Sequence, residues 1–501
     1  MRKFILLGFW TLIELLLLIY IINNSKFSTY IIPFLYISGI GVALSIQIDD
    51  TKLSSSKLSW TIVLLTMPII GIILYMFFGH GYMSKYQKKL VDNARVSYPG
   101  ISKYRVINAQ LTTGQSNIVS YLNRIPFNTS NLHNGGDVKC YTYGKEKFID
   151  LFADIAQAES YIHLEYFIIK PGKLYDKLEK LLFEKAAQGV EIRIMTDFVG
   201  GRQVTAGMIR RLENHGIKFA FFNKLFFSGL SKLSNFRDHR KIVVIDGKIA
   251  YTGGFNIADE YIDLDPYYHH WEDCHLRISN SSAVLEYETF FGQTWFFTTN
   301  ENLFKEKYYY DFEINKEDTD CLIYPFVDGP DTIETFVRDI FFKCIMSATK
   351  SICITTPYLI PDMVLTGALV IQANSGIDIT IITPGLPDKK YVKLATESYY
   401  MELVKAGIKI YEYNGFIHAK KMLIDDDSHA IVGTANFDMR SFRLSFEVCT
   451  LLIGGKIVRD VKQTIEDNIE DSKRITLAQL KKHSVFKRLL YTVIRVFSPL
   501  F

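Results

Sequence analysis

Two stretches of the chain repeat one pattern of residues that suits the chemistry of phosphate esters. Each copy has a histidine, a lysine, an aspartate at a turn, and an asparagine at the end of a glycine-containing segment. The members are His239, Lys241, Asp246 and Asn256 in the first copy and His418, Lys420, Asp425 and Asn436 in the second. Imidazoles can act as nucleophiles or as acids and bases, and ammonium and amide groups can hold an anion. The doubled pattern indicates one site that cleaves a phosphodiester.

Each copy is predicted to form a β-hairpin, because apolar, strand-like runs lie on both sides of a turn at Asp246-Gly247 and at 425–428. A histidine and a lysine two positions apart share one face of a strand. Their Cα atoms then lie about 6.7 Å apart, at ~3.3 Å per residue, so both side chains can reach one phosphate. Each aspartate lies at the turn, an odd number of positions after its histidine. We therefore expect it to fix the hairpin rather than to touch substrate.

The chemistry predicts a division of labour between the two histidines. One attacks phosphorus and the other protonates the departing alcohol, while the lysines and asparagines offset negative charge. A catalytic histidine also needs a carboxylate on its other ring nitrogen. The candidates lie on the strand that follows each hairpin: Asp273 after the hairpin of His239, and Glu447 after that of His418. The residues alone do not decide which histidine attacks.

Neither a metal nor a cofactor is predicted. His269, His270 and His275 lie close to Glu272 and Asp273 in sequence, but their spacing matches no common zinc arrangement. They are expected to be polar loop residues or to support the site from behind.

The paired motif resembles the signature of the phospholipase D superfamily, and the surrounding residues are similar to bacterial cardiolipin synthases. The segments that carry this likeness are 239–256, 271–277, 356–362 and 433–447. The resemblance implies a catalytic set of His239, Lys241, Asp246, His418, Lys420 and Asp425, with His239 as nucleophile and His418 as acid and base. It also implies the substrate: two phosphatidylglycerol molecules give cardiolipin and glycerol through a phosphohistidine. The family pattern has Asn at position 445 and Arg at position 272, so Ser445 and Glu272 depart from it.

Other functions are also considered at this point. The same residues would serve a hydrolytic phospholipase D or another phosphatidyltransferase, since water access decides between them. A non-catalytic membrane scaffold with the same fold is disfavoured because both histidines and both lysines are present. A nuclease is disfavoured because the formal net charge is only +4.

Residues 1–80 are predicted to be a transmembrane region. Three apolar runs, at 4–22, 30–48 and 60–78, each have the ~20 residues that cross a bilayer as a helix. The interpretation is a multi-pass protein of the bacterial cell membrane, with phosphatidylglycerol, other anionic phospholipids and the bilayer as partners and no nucleic acid. The cysteines lack paired spacing, so they are expected to be reduced and the catalytic region to face the cytoplasm.

The rest of the chain alternates short β-rich runs with longer helical ones, which indicates α/β architecture with mixed sheets. The pattern occurs twice and predicts two similar phospholipase D-like halves packed as a pseudo-dimer. The predicted boundaries are a connecting segment at 81–135, a first half at 136–310, a second half at 311–478 and a basic amphipathic tail at 479–501. The tail suits an anionic membrane surface, or else a half-packed terminal helix. An apolar insert at 224–235 is interpreted as a buried loop, as the wall of an acyl-chain pocket or as a loop that dips into the membrane.

Overall fold

The computed structural model describes residues 20, 28–49, 52, 54–79, 83, 85–97, 109–125, 130–224, 235–268, 270–303, 308, 321–332 and 335–498. The predicted helix over 4–22, apart from Tyr20, and most of the apolar insert at 224–235 lie outside these residues.

Helices occupy the amino-terminal part of the described chain. They are α1 (Ser28–Ile48), α2 (Ser54–Thr66), α3 (Pro68–Phe78), α4 (Lys85–Ser97) and α5 (Thr113–Leu122). The apolar run at 30–48 is helical, as predicted. Among the described residues, no helix is both long and apolar enough to cross a membrane.

The prediction of one continuous helix over 60–78 is wrong. Pro68 begins a new helix, and the residue before a proline is pushed out of the helical region, as Met67 is with φ −138° and ψ 72°. Helices α2 and α3 then fold back on each other, so that the Trp60 and Tyr75 rings meet edge to face at 5.2 Å. The close approach requires a glycine at Gly71, where a Cβ would lie 2.9 Å from the Val63 carbonyl oxygen.

The first half follows the predicted alternation of strands and helices. Its elements are β2 (Asp137–Tyr143), α6 (Gly144–Ala156), β3 (Tyr161–Tyr166), α7 (Lys173–Ala187), β4 (Glu191–Asp197), α8 (Ala206–Asn214), β5 (Lys218–Phe222), β6 (Arg237–Asp238), β7 (Ile242–Ile245), β8 (Ile249–Gly253), β9 (Trp271–Ser279) and α9 (Val284–Thr299). Strands β3, β4 and β5 are parallel, and β3, β7, β8 and β9 pair antiparallel, which gives the mixed sheet.

The second half repeats this order. Its elements are β10 (Leu322–Asp328), α10 (Phe336–Ser347), β11 (Ser351–Thr355), α11 (Met363–Asn374), β12 (Asp378–Pro384), α12 (Lys390–Lys405), β13 (Lys409–Tyr413), β14 (Phe416–Ile417), β15 (Lys421–Ile424), β16 (His429–Gly433), β17 (Ser445–Ile453) and α13 (Gly455–Glu470). Strands β11, β12 and β13 are parallel, and β11, β15, β16, β17 and β10 pair antiparallel in that order. The predicted hairpins exist as β7–β8 and β15–β16.

A shared core joins the two sheets. Apolar side chains from the inner faces of both sheets form one buried cluster with α9 and α13, and separate clusters fill the outer face of each half. Part of the predicted connecting segment packs with the second half, because β1 (His133–Asn134) pairs with β10 and Ile118 of α5 is buried in the second-half cluster. The two halves therefore share one hydrophobic core where their sheets meet.

Two very short strands cross between the halves. Strand β6, just before His239, pairs with β17 of the second half, and β14, just before His418, pairs with β9 of the first half. Each half thus places its motif histidine at the edge of the other half's sheet.

The carboxyl end forms β18 (Ser472–Ile475), α14 (Leu477–Lys481) and α15 (Val485–Phe497). Helix α15 packs on α12, where Lys487 and Arg495 form ion pairs with Glu397 and Glu402. The apolar side chains of its outer face are exposed: Val485, Phe486, Leu489 and Val493. The helix is amphipathic, as predicted, but two of its basic residues bind the protein and an apolar stripe faces outwards.

Candidate active site

His239 sits where β6 meets the second-half sheet. Phe446 pairs with Asp238, and its carbonyl oxygen accepts a hydrogen bond from the His239 amide at 2.9 Å. This places the imidazole beside the next residue of β17, so that Nδ1 of His239 lies 3.0 Å from Oε2 of Glu447. Glu447 is fully buried. Because Nδ1 faces the carboxylate, Nε2 of His239 is the ring nitrogen left for chemistry.

His418 is held in the same way by the first half. Ile417 pairs with Glu272, whose carbonyl oxygen accepts a hydrogen bond from the His418 amide at 2.7 Å. Nδ1 of His418 then lies 2.7 Å from Oδ2 of the buried Asp273. The Nε2 atom is again the one left for chemistry.

The carboxylates are paired with the histidines across the halves. The sequence had suggested Asp273 for His239 and Glu447 for His418, because each carboxylate follows that hairpin in the chain. That pairing is wrong, since the two-residue strands β6 and β14 carry each histidine to the opposite sheet. The site is therefore assembled from both halves at once.

The two lysines lie behind the histidines in the same site. Nζ of Lys241 donates to the His239 carbonyl oxygen at 2.5 Å. Nζ of Lys420 lies 2.6 Å from Nδ1 of His418 and 3.7 Å from Oδ1 of Asp273. The charge of Lys420 acts on His239 and that of Lys241 acts on His418, so the four side chains share one electrostatic environment.

Burial of so many cations in one place shifts their protonation. It lowers the pKa of Lys241 to about 7, with the charge of Lys420 adding to the effect, and it lowers the pKa of Lys420 to about 8. Burial and then Lys420 lower the pKa of His418 to about 4. Burial also lowers the pKa of His239. Without substrate, the site favours neutral imidazoles and holds lysines that an anion would keep protonated.

The predicted asparagines occupy the loops after the hairpins. The Asn256 side-chain amide donates to the Tyr261 hydroxyl at 2.6 Å, and its oxygen accepts from the Ile168 amide at 3.0 Å. Oδ1 of Asn436 is buried and has no hydrogen-bond partner among the residues described.

The residue two positions before each asparagine breaks the symmetry of the site. The Thr434 hydroxyl donates to Oε2 of Glu447 at 2.5 Å and helps to orient that carboxylate. The matching residue is Gly254, where a Cβ would lie 1.7 Å from Oδ1 of Asp273. The sequence showed this difference only as a tolerated variation within the motif.

Aromatic rings surround both imidazoles. The Phe167 ring centroid lies 5.0 Å from that of His239, and Trp271, Phe416 and Tyr261 lie 5.3, 5.8 and 6.3 Å from that of His418. None of these residues was predicted as a site residue, although Trp271 begins one of the segments that carry the family resemblance. They contribute to the burial that desolvates the histidines.

The two turn aspartates lie away from the histidines and hold the hairpins to neighbouring segments. Asp246 accepts hydrogen bonds from the amides of Glu159, Ser160 and Tyr161, each at 2.8 Å. Asp425 accepts from the amides of residues 349–351 at 2.7–3.0 Å and from the Thr349 hydroxyl at 2.7 Å. The geometry supports the interpretation that these residues fix the hairpins.

We expect Asp425→Ala to lower the free energy of unfolding by about 1–2 kcal/mol, because exposed and half-buried amides lose a charged acceptor. Asp425→Asn should lose less, since an amide oxygen keeps part of the pattern and asparagine tolerates the left-handed φ of 52°. Urea denaturation gives the stability, and turnover per folded molecule gives the activity. A loss of turnover without a loss of stability would contradict the structural role.

No group of side chains that could hold a metal ion occurs within the described ranges. His275 is buried on β9, and His270 contacts Asp263 and Glu272; His269 lies outside the described residues. Glu272, one of the two departures from the family pattern, accepts a hydrogen bond from the Asn468 side chain at 3.0 Å. Since it precedes Asp273 on a strand, its side chain points to the opposite face.

The fold is that of a two-half phospholipase D-like protein. Phosphatidylserine synthase of Haemophilus influenzae superposes with a TM-score of 0.58 at 12% sequence identity, over 78% of this chain and 100% of that one. The likeness at this identity concerns the fold alone.

Sequence comparison is more specific. The family described as "Cardiolipin synthase, PLD-like domain" matches residues 151–295 and 341–469, and "Phospholipase_D-nuclease N-terminal" matches 34–80. Cardiolipin synthase of Alkalihalophilus pseudofirmus is 34% identical over 90% of both chains. The major cardiolipin synthase of Bacillus subtilis is 32% identical over 94% of this chain and 99% of its own. The chain belongs to the family of cardiolipin synthases with phospholipase D-like domains.

Proposed function

We propose that this protein is a cardiolipin synthase, a phosphatidyltransferase that joins two phosphatidylglycerol molecules and releases glycerol. The observation that carries the proposal is the pair of histidines, each with its own buried carboxylate and both within reach of two lysine charges. Such a site has a nucleophile, an acid–base and an anion clamp, and it needs no further group for phosphodiester exchange.

The first step transfers a phosphatidyl group to the enzyme. Nε2 of His239 attacks the phosphorus of one phosphatidylglycerol, and the bond to the glycerol oxygen breaks. His418 gives its proton to that oxygen, so that neutral glycerol leaves. Glu447 stabilises the positive charge that develops on the His239 ring as the P–N bond forms.

The second step returns the enzyme to its starting state. A hydroxyl of the second phosphatidylglycerol attacks the same phosphorus, His418 takes its proton, and the P–N bond to His239 breaks. Asp273 stabilises the imidazolium that forms. The product is cardiolipin, and the exchange of one phosphodiester for another makes the reaction reversible.

Substrate charge prepares the site for the first step. The empty site disfavours protonated His418, since burial and Lys420 lower its pKa to about 4. An anionic phosphodiester next to the ring favours the imidazolium and the two ammonium groups. The general acid is therefore protonated as the substrate binds.

Exposed apolar residues support the proposal that this chemistry takes place beside lipid. Helix α1 exposes Phe34, Ile37 and Leu44. Helix α15 exposes the apolar stripe that contains Phe486, and the basic Lys482 lies shortly before it in the sequence. Apolar side chains beside basic ones favour the surface of an anionic membrane. We propose that α1–α3 and α15 attach the enzyme to the bacterial cell membrane, with the catalytic region on the cytoplasmic side.

Hydrolysis by the same site is the second candidate, and the aromatic surroundings of both histidines argue against it because they contribute to the burial that desolvates the site. The function is tested by incubating the purified full-length protein in mixed micelles with acyl-labelled phosphatidylglycerol, without nucleotide or added metal. We expect cardiolipin and glycerol in equal amounts. Phosphatidic acid as the main product would identify a phospholipase, and no turnover would identify a non-catalytic lipid-binding protein.

A further inference from the structure

A polar side-chain cluster lies near the segment that leads to His418 and takes no part in the chemistry described above. Its members are Tyr358, Asp388 and Lys389. The loop that carries Asp388 runs along the segment leading to His418, because the Leu386 amide donates to the Gly415 carbonyl oxygen at 2.9 Å. The Tyr267 hydroxyl of the first half donates to the Pro387 carbonyl oxygen at 2.9 Å and holds the loop from the other side.

The cluster fixes one oxygen of a carboxylate and leaves the other open. The Tyr358 hydroxyl donates to Oδ2 of Asp388 at 2.5 Å, and Lys389 donates to that hydroxyl at 3.0 Å and forms an ion pair with Oδ2. Oδ1 of Asp388 accepts no hydrogen bond from the residues described. Burial opposes ionisation, but Lys389, Tyr358 and His418 together lower the pKa of Asp388. An ionised, oriented carboxylate oxygen is therefore available within the electrostatic range of His418.

The matching positions of the first half, all among the described residues, carry no such cluster. Tyr161 pairs with Glu191 in β3–β4 as Ser351 pairs with Asp378 in β11–β12, which sets the correspondence between the halves. Counting from these pairs, Ile168 corresponds to Tyr358, Gly201 to Asp388 and Arg202 to Lys389. Beside His239 lies the Phe167 ring, with its centroid 5.0 Å from that of the imidazole. The two sides of an otherwise symmetric site thus differ in what they can bind.

We propose that Asp388, held by Tyr358 and Lys389, binds the free hydroxyl groups of the acceptor glycerol headgroup. A carboxylate repels phosphate oxygens but accepts hydrogen bonds from hydroxyl groups, and a vicinal diol keeps one donor for it while the other hydroxyl reacts. Lys389 cancels the charge of Asp388, so an anionic lipid is not repelled. This deepens the proposed function, on which it rests, by assigning the acceptor to the His418 side of the site.

The assignment fits the second step of the reaction. The hydroxyl that attacks phosphorus gives its proton to His418, and the P–N bond to His239 breaks. Asp388 accepts a hydrogen bond from the neighbouring hydroxyl, which does not react. It changes no bond itself and acts as a specificity residue that selects a diol over water or a simple alcohol.

The test is a competition between two alcohols. Full-length enzyme in mixed micelles receives phosphatidylglycerol as donor, with deuterated glycerol and 1-propanol at equal concentration. Mass spectrometry gives the ratio of deuterated phosphatidylglycerol to phosphatidylpropanol. The wild type should favour glycerol, and Asp388→Asn should lower that ratio by about tenfold, the size expected when a charged acceptor is lost. Tyr358→Phe should lower it less and serves if Asp388→Asn does not fold.

Arg202→Gln is the matched control, since Arg202 is exposed and corresponds to Lys389 in the half without the cluster. It should leave both the ratio and the turnover unchanged. A variant that is merely misfolded lowers both products equally and leaves the ratio intact. If Asp388→Asn and Tyr358→Phe keep the wild-type ratio while the wild type makes cardiolipin, the diol site is wrong. If the wild type makes only phosphatidic acid, the proposed transferase function itself fails.

Discussion

Replacing either motif histidine by alanine is expected to lower cardiolipin formation by at least about 10⁴-fold, because each removes a group that acts on the reacting atoms. The two variants should fail at different points. His239→Ala has no nucleophile and forms no covalent intermediate. His418→Ala keeps the nucleophile but cannot protonate the departing glycerol.

A donor with a good leaving group separates these two failures. Phosphatidyl-p-nitrophenol needs no proton on its leaving oxygen, so His418→Ala should release one equivalent of nitrophenol in a burst and accumulate an acid-labile phosphoenzyme. His239→Ala should show neither. The measurement is stopped-flow absorbance, combined with phosphorus-labelled protein recovered under alkaline conditions.

His215→Ala is the control for this experiment, because His215 is exposed, lies outside both motifs and stacks its ring on Phe183. It should retain wild-type turnover. Phosphoenzyme in His239→Ala but not in His418→Ala would reverse the two roles. His418 would then be the nucleophile, and His239 would be the acid and base.

The sequence predicts most of the α/β body because its signals are local. Strand and helix runs differ in period, and glycines such as Gly189 and Gly376 mark the helix ends, where both adopt positive φ. The role of the turn aspartates in fixing the hairpins was also predictable, because an odd spacing from the histidine places them on the other face of the strand. Such features need no knowledge of which segments meet in space.

The pairing of each histidine with a carboxylate of the other half could not be predicted from such local signals. Strands β6 and β14 have two residues each, which is too short for any periodic signal, and their partners lie far away in the chain. Which face of α15 is exposed could not be predicted for a related reason. An amphipathic pattern shows that a helix has two faces, but the ion pairs of Lys487 and Arg495 with α12 decide which face turns inwards.

The prediction of one helix over 60–78 was wrong because of a single residue, Pro68. Hydropathy treats Pro68 as neutral within a long apolar window, whereas its ring prevents Met67 from staying helical and begins a second helix. A length rule applied to hydropathy alone thus counted two packed helices as one.

The crossed carboxylates lead to the second large effect. Glu447→Gln should lower turnover by about 10²–10⁴-fold, because the ring of His239 loses both its orientation and the charge that stabilises it during attack. Since Glu447 lies in the second half but serves His239, the defect should appear in formation of the phosphoenzyme. The nitrophenol burst should therefore be slow in this variant.

Asp273→Asn should show the complementary defect. Asp273 raises the pKa of His418, so without it burial and Lys420 lower that pKa further below about 4. Less His418 is then protonated at neutral pH, and turnover with phosphatidylglycerol should fall by about 10²–10⁴-fold with its optimum displaced to lower pH. The nitrophenol burst should stay fast, since that donor needs no acid. If each carboxylate served the histidine of its own half, the two burst phenotypes would be exchanged, so this pair of variants tests directly whether one active site is built across both halves.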